Sequence, residues 1–371
     1  MPQLSYASTK DSDARYLVRV EIPDPFFLLD TGDRTYIFLD HREFGVFREH
    51  NENPAIELVL VNPLMEVARE IPGDGPAAGK LALHILRTYG VRGDAIGVPT
   101  RFPLDVADFL RAQGVRLTPT HPFVPQRLRK TNEEVAAIRE SLRRTHEAFR
   151  TIEAMLREAT IVGDAVEYRG ASLTSETLKR AAEEALFACD MFNVEGIIVS
   201  CGPHAAIPHH QGRGPIIPHS PIVCDIFPRN RASGYFADMT RTYMKGQPSS
   251  ELARMYSAVR EAQETAIAAV ATGVLGREVH EQAASVFRRL GYDVGDRGFT
   301  HGTGHGLGLD VHEEPFLNAT ATTALEPGHV VTVEPGLYYS ERGGIRIEDV
   351  VVVTDNGCEN LTQYPKEFVI P

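Results

Sequence analysis

Four acids and one histidine in the second half of this 371-residue chain constrain it most: Asp225, Asp238, His305, Glu334 and Glu348. Each sits in a short segment that predicts a strand or a tight turn: PIVCDIF, GYFADMTRTYM, HGTGHGLGLDVHE, HVVTVEPGLYY and GGIRIEDVVVVT. The acids come in pairs. Asp225 and Asp238 are expected on consecutive strands joined by a turn around 228–233, and Glu334 and Glu348 on consecutive strands joined around 340–344. Opposed residues of an antiparallel pair share a sheet face. Each hairpin could then present two carboxylates side by side, and two facing hairpins would make a four-acid cage that His305 closes from a loop. Four acids in one pocket repel one another strongly unless cations lie between them. Carboxylate oxygens with a single imidazole suit Mn, Co, Fe or Zn. Five protein ligands are more than one open catalytic ion needs. The count points to two ions sharing ligands, an arrangement that serves hydrolysis.

A chain of this length exceeds what one hydrophobic core comfortably holds, so two domains are expected. In the first part, FFLLD at 26–30 and RTYIFLD at 34–40 flank Thr31-Gly32-Asp33 as a hairpin, and IELVLVN, AIGVP and VRLTPT add strands. GKLALHILRTYG and PLDVADFLRAQG carry helical apolar spacing and end on glycine. The alternation predicts an α/β unit with a mixed or parallel sheet. A linker comes next at THPFVPQRLRK, so the domains are expected at 1–125 and 126–371. Thr131 and Glu134 form a capping box. From it Val135, Ile138, Leu142, Phe149, Ile152 and Leu156 extend an amphipathic helix of roughly 28 residues. Further helices are expected near 175–189, 250–272 and 277–290.

The net charge of −12 and the lack of a basic stripe argue against a nucleic-acid partner. No apolar run is long enough to span a membrane, and the start, MPQLSYASTKDSDARY, lacks the apolar core of a signal peptide. Cys189, Cys201, Cys224 and Cys358 form no C-x-x-C pair and no disulfide framework, which predicts reduced thiols and a cytoplasmic protein. Cys224 precedes Asp225 and so faces away from the acids.

His301, His305 and His312 crowd into one glycine-rich segment. The Gly-Lys-Ser/Thr ending of a phosphate-binding loop is missing there. The glycines let the backbone pass close to a substrate or an ion. Each feature also has a plainer explanation. An acid near a turn caps it, and a strand-terminal Glu334 points at solvent. Arg346 and Glu348, on one strand face by parity, make an internal salt bridge. A lone histidine is structural. Their coincidence in one half of the chain favours a site.

Taken in order, these segments resemble the pita-bread metallopeptidases, the family of methionine aminopeptidase, aminopeptidase P and prolidase, over about 131–371. The resemblance implies an α/β N-terminal domain of the creatinase/prolidase type followed by an α+β pita-bread catalytic domain. It implies that Asp225, Asp238, His305, Glu334 and Glu348 hold two divalent metal ions, manganese first, with Co, Zn or Fe as alternatives. Asp238 would bridge or chelate and Glu348 would bridge. It implies that Glu334, His209 and His312 are catalytic, and that His301, Arg346 and Tyr338 line the proline side of the substrate pocket. The implied activity is hydrolysis of the Xaa-Pro bond in a dipeptide or at the N-terminus of a longer peptide, by a homodimer. Three features depart from the family pattern. Phe227 and Pro228 follow the first Asp where a glycine is common, the turn between the two aspartates is longer than usual, and 211–223, with His219, has no assigned role. Two other functions are conceivable, a creatinase-like C–N hydrolase and a non-enzymatic binding module. The first dispenses with the metal and the second loses ligands, so the full ligand set argues against both.

Overall fold

The computed structural model describes residues 1–51, 53–91 and 95–371, and the chain divides into two compact units, Met1–Arg127 and Leu128–Pro371. In the first unit a six-stranded sheet runs in the order Ile56–Leu60, Thr35–Leu39, Phe26–Asp30, Gln3–Ala7, Ile96–Pro99, Leu117–Thr120. The two pairings around Phe26–Asp30 are antiparallel and the other three parallel, so the sheet is mixed. The expected hairpin forms: Thr31 N–H donates to Arg34 O at 3.0 Å, and Asp30 Oδ1 accepts the Gly32 N–H at 2.7 Å. Phe27 and Leu29 pack on one face with Leu83 and Leu86, whereas Phe26 and Leu28 pack on the other with Ile22 and Phe47. A strand buried on both faces loses the polar alternation, which is why FFLL is apolar throughout and the first acid comes at the strand's end, Asp30. The strand Gln3–Ala7 and the helices Ser12–Val18, His41–His50 and Asn62–Arg69 were not expected. The strand is half polar and the helix His41–His50, HREFGVFREH, is mostly polar, so neither carries a clear apolar period.

The second unit opens with the helix Asn132–Glu158, whose Thr131–Glu134 capping box is complete: Thr131 N–H donates to Glu134 Oε2 at 2.7 Å and Glu134 N–H to Thr131 Oγ1 at 3.3 Å. Its buried stripe, Ile138, Leu142, Phe149, Ile152 and Leu156, packs with Ser175–Ala188 against a four-stranded sheet. That sheet runs Ile197–Cys201, Pro221–Ile226, Met239–Lys245, Val369–Ile370. The helices Ser250–Ala269 and Gly276–Arg289 share a second core with strands of a five-stranded sheet. Its order is Glu313–Leu317, Gly304–Gly306, Val330–Val333, Asp349–Thr354, Gly357–Asn360. Among the described residues no helix is long and apolar enough to cross a membrane. All four cysteines are free.

Three expected strands are shorter or broken where the acids stand. GYFADMTRTYM enters the sheet only at Met239, so Asp238 lies just before its strand. HVVTVEPGLYY splits into Val330–Val333 and Gly336–Tyr339, with Glu334 at the break. GGIRIEDVVVVT splits into Gly343–Arg346 and Asp349–Thr354, with Glu348 at the break. The cause is a change of backbone partner. Pro335 has no N–H to give to a ladder, Glu334 N–H turns to Thr303 O at 2.7 Å, and Glu348 N–H to Thr240 O at 3.1 Å. The register still puts both acids of each pair on one face. Val333 pairs with Asp349 and Gly336 with Arg346, which leaves Glu334 across from Glu348. Asp225 pairs with Thr240, so Asp238 lies one alternation further along the same face rather than directly opposite. The long turn between the aspartates folds on itself: Asn230 Oδ1 accepts N–H groups of Ala232 and Ser233, and Ala237 N–H donates to Pro228 O at 2.9 Å.

Candidate active site

A cavity of about 460 Å³ opens in the second unit and is lined by His209, Asp225, Asp238, His301, His305, His312, Glu334, Arg346 and Glu348. His305 reaches it from the strand Gly304–Gly306, which lies between two neighbours of its sheet. A Cβ at Gly304 would stand 1.9 Å from Thr332 O, and one at Gly306 would stand 2.4 Å from Glu314 O. The glycines expected to admit a substrate or ion therefore admit the adjacent strands. His305 is the one side chain that strand presents.

One ligand atom each from Asp238, His305 and Glu348 lies within 4.8 Å of the others, and all three residues are buried. His305 Nε2 stands 3.1 Å from Glu334 Oε1 and 3.7 Å from Asp238 Oδ2. Its Nδ1 meets Gly306 O at 3.1 Å; a carbonyl accepts, so Nδ1 carries a proton and Nε2 is the nitrogen turned to the acids. Two threonines orient the glutamates. Thr240 Oγ1 donates to Glu348 Oε2 at 2.8 Å, and Thr332 Oγ1 donates to Glu334 Oε1 at 3.2 Å.

The acids are short of positive charge. Burial raises the Asp238 and Glu348 carboxyls well above their ordinary values, and the charge of Asp225 on Asp238, and of Asp238 on Glu348, pushes the same way. Burial raises Asp225 as well, although the Arg346 guanidinium opposes it. Burial pushes Glu334 up too, but its hydrogen bond with His305 and the charges of His305, His301 and Arg346 together hold it at about 2. Asp225 Oδ2 accepts from Arg346 Nη2 at 2.7 Å, yet Asp225 Oδ1 is buried with no hydrogen-bond partner. An orphaned carboxylate oxygen beside two more buried acids and the half-buried Glu334 is costly unless a cation completes it. Oxygen donors with one imidazole nitrogen fit divalent ions of the Mn, Fe, Co and Zn group. Asp225, Asp238, His305, Glu334 and Glu348 are the residues that could hold them.

On the other wall, Arg346 Nη1 donates to Tyr338 Oη at 2.7 Å, and Tyr338 Oη meets His301 Nε2 at 2.9 Å. His301 Nδ1 meets Gly302 O at 2.7 Å, so that nitrogen carries the proton and Nε2 accepts from the phenol. Burial lowers His301 and raises Tyr338 to about 12, which keeps the imidazole neutral and the phenol protonated. Tyr338, expected to touch substrate, does not line the cavity; it stands behind the wall and ties two lining residues together. His312 is exposed at the cavity, its ring 4.2 Å from that of His305, and burial of part of the ring lowers its pKa.

His210 and His219 lie outside. His210 stacks on His204 at 4.0 Å and accepts the Gly212 N–H on Nδ1 at 2.9 Å. His219, at φ 58°, fastens the turn after Met239–Lys245: its N–H donates to Lys245 O at 2.8 Å, and its Nδ1 accepts the Gln247 N–H at 3.0 Å. Sequence reasoning missed Thr240, Thr332, Phe316 and Asn318. The threonines carried a signal, since each lies two residues from an acid on its own chain segment, DMT and TVE, and alternation returns it to the same face.

Residues 136–355 match metallopeptidase family M24. The uncharacterized peptidase YqhT of Bacillus subtilis is 36% identical over 247 residues, which span 66% of this chain and 65%, less than two thirds, of that protein. The probable dipeptidase PepE of Mycobacterium tuberculosis is 33% identical over 289 residues, 78% of this chain and 68% of that one. Among solved structures, the Xaa-Pro dipeptidase from Bacillus anthracis superposes with a TM-score of 0.81 at 26% identity, covering 99% of this chain and 94% of that chain. The match carries the pita-bread fold of these peptidases to this chain.

Proposed function

Because the chain belongs to metallopeptidase family M24, we propose that it is a metal-dependent exopeptidase that hydrolyses the Xaa-Pro bond in dipeptides or at the N-terminus of longer peptides. The observation that carries this reading is the convergence of Asp238, His305 and Glu348, with Glu334 and Asp225 beside them, in one buried cavity. These five residues would hold two divalent ions, manganese foremost. When bound, the ions supply Lewis acidity and a water activated at neutral pH.

The remaining chemistry belongs to the chain's own side chains. The leaving group is the ring nitrogen of the proline, which must gain a proton to depart as an amine. Glu334, ionised at neutral pH, takes the proton of the attacking water and passes it to that nitrogen. His312 and His209 donate to the scissile carbonyl, where negative charge grows in the transition state. His301 and Arg346, locked through Tyr338, shape the wall that receives the proline ring. The reading extends to a cytoplasmic homodimer, in keeping with the free thiols. Its test is an assay of Ala-Pro and Ala-Pro-Ala with the manganese-loaded enzyme, with and without a chelator. Chelator-sensitive release of alanine is expected. Turnover that survives full metal removal would overturn it.

A further inference from the structure

Xaa-Pro substrates of different length differ in the group attached on the C-terminal side of the proline. A dipeptide places a carboxylate there, which needs a cation when buried. A longer peptide places a neutral amide, which needs donors and an apolar rest. Among the described residues lining the site cavity, Arg346 is the one side chain of fixed positive charge. Its donors are already engaged. Nε donates to Thr240 Oγ1, Nη1 to Tyr338 Oη and Pro208 O, and Nη2 to Asp225 Oδ2 and Pro208 O. All five guanidinium N–H groups thus have acceptors.

The cavity wall offers something else. In the strand Glu313–Leu317, Pro315 and Leu317 turn inward, and Phe316 between them lines the cavity with 40% of its surface exposed. Two residues on, Asn318 lines the same cavity. Its Oδ1 accepts the Thr320 N–H at 3.0 Å, which leaves its amide N–H groups as donors. A second cavity, about 740 Å³, shares His301, Gly302 and Asn318 with the first, so the two adjoin at these residues. Its charged residues are of both signs, Arg277 and Arg288 with Glu278 and Glu281.

Resting on the Xaa-Pro reading above, we infer that the preferred substrates are peptides of three or more residues. Phe316 and Asn318 receive the residue after the proline, and the adjoining cavity carries the rest of the peptide. The test is a length series, Ala-Pro, Ala-Pro-Ala and Ala-Pro-Phe-Ala, with the manganese-loaded wild type and Phe316→Arg. The wild type is expected to cleave the longer peptides with kcat/KM at least about tenfold above Ala-Pro. Phe316→Arg supplies the missing cation and is expected to raise kcat/KM on Ala-Pro about tenfold while lowering it on Ala-Pro-Phe-Ala. A wild type that cleaves Ala-Pro as well as the longer peptides overturns the inference and leaves the Xaa-Pro reading standing. Failure to cleave any of the three overturns that reading itself. The wild-type series decides the matter even if the variant does not fold.

Discussion

Glu334 and Glu348 face each other across a gap between two antiparallel ladders that keep a single register, with Val333 opposite Asp349 on one side and Gly336 opposite Arg346 on the other. In the gap, each glutamate's N–H leaves its hairpin for another segment, Glu334 to Thr303 O just before the strand Gly304–Gly306 and Glu348 to Thr240 O in Met239–Lys245. The hairpin therefore opens where its two acids stand, and those acids meet His305 and Asp238. The proposed metal ligands and the crossover of the backbone are one construction.

Glu334→Gln keeps the side chain's shape and removes its charge. On the proposed mechanism it loses both a ligand and the proton carrier. Turnover of Ala-Pro-Ala should fall about a thousandfold, and bound manganese, read by elemental analysis, should fall with it. A variant that turns over at the wild-type rate would remove Glu334 from the chemistry.

His312 differs, because it lies at the cavity without belonging to the cluster of buried ligand atoms. His312→Gln should lower kcat about a hundredfold while metal content stays at the wild-type level. Loss of metal in this variant would make it a ligand instead.

Arg241 is a stability prediction. It is buried, and its guanidinium donates to the carbonyls of Thr240, Glu348, Tyr364 and Pro365 and to Asp349 Oδ1 at 2.8 Å, while Lys366 Nζ holds Asp349 Oδ2 at 2.8 Å. Arg241→Met would strand the carbonyls of Glu348, Tyr364 and Pro365 and half of a buried carboxylate. Urea unfolding should show a loss of about 3–5 kcal/mol. Because the Glu348 carbonyl is one of them, metal affinity should weaken as well.

Acid should destabilise the fold through His329. Burial holds its pKa at about 4, and its Nδ1 accepts the Glu326 N–H at 3.1 Å, which requires the neutral ring. An unfolded histidine titrates near about 6.5. The folded value lies below the unfolded one, so the stabilisation is complete above about pH 6.5 and is lost as pH falls toward 4. His146, also held at about 4 by burial, acts in the same direction. Unfolding free energies at pH 7, 5.5 and 4.5 should fall in the wild type and fall less steeply in His329→Gln. Equal slopes would contradict this.

The sequence made the helices of the second unit legible because they carry caps and a long apolar period: Thr131 and Glu134 begin the first of them as expected. The acid pairs were legible because carboxylates in apolar strands are costly and need a reason. The strand break at Glu334 carried a signal in Pro335-Gly336, but the one at Glu348 did not, since GGIRIEDVVVV keeps its alternation while its backbone changes partners. Gly304 lines the cavity as expected, but that it and Gly306 also admit neighbouring strands was not legible, because close approach of a strand leaves no trace in a one-dimensional pattern. Tyr338 could be found as a tyrosine near the site, but its place behind Arg346 and His301 depends on a hydrogen bond between residues far apart in sequence. Phe316 and Asn318 gave no local signal. They matter because the strand after His312 turns them to the cavity.

The central claim is that these five side chains gather divalent cations, and elemental analysis of protein dialysed against manganese and then against metal-free buffer tests it most directly. About two ions per chain are expected in the wild type, with fewer than one in Asp238→Asn. A folded wild type that retains none, and whose melting temperature manganese does not raise, would contradict the account.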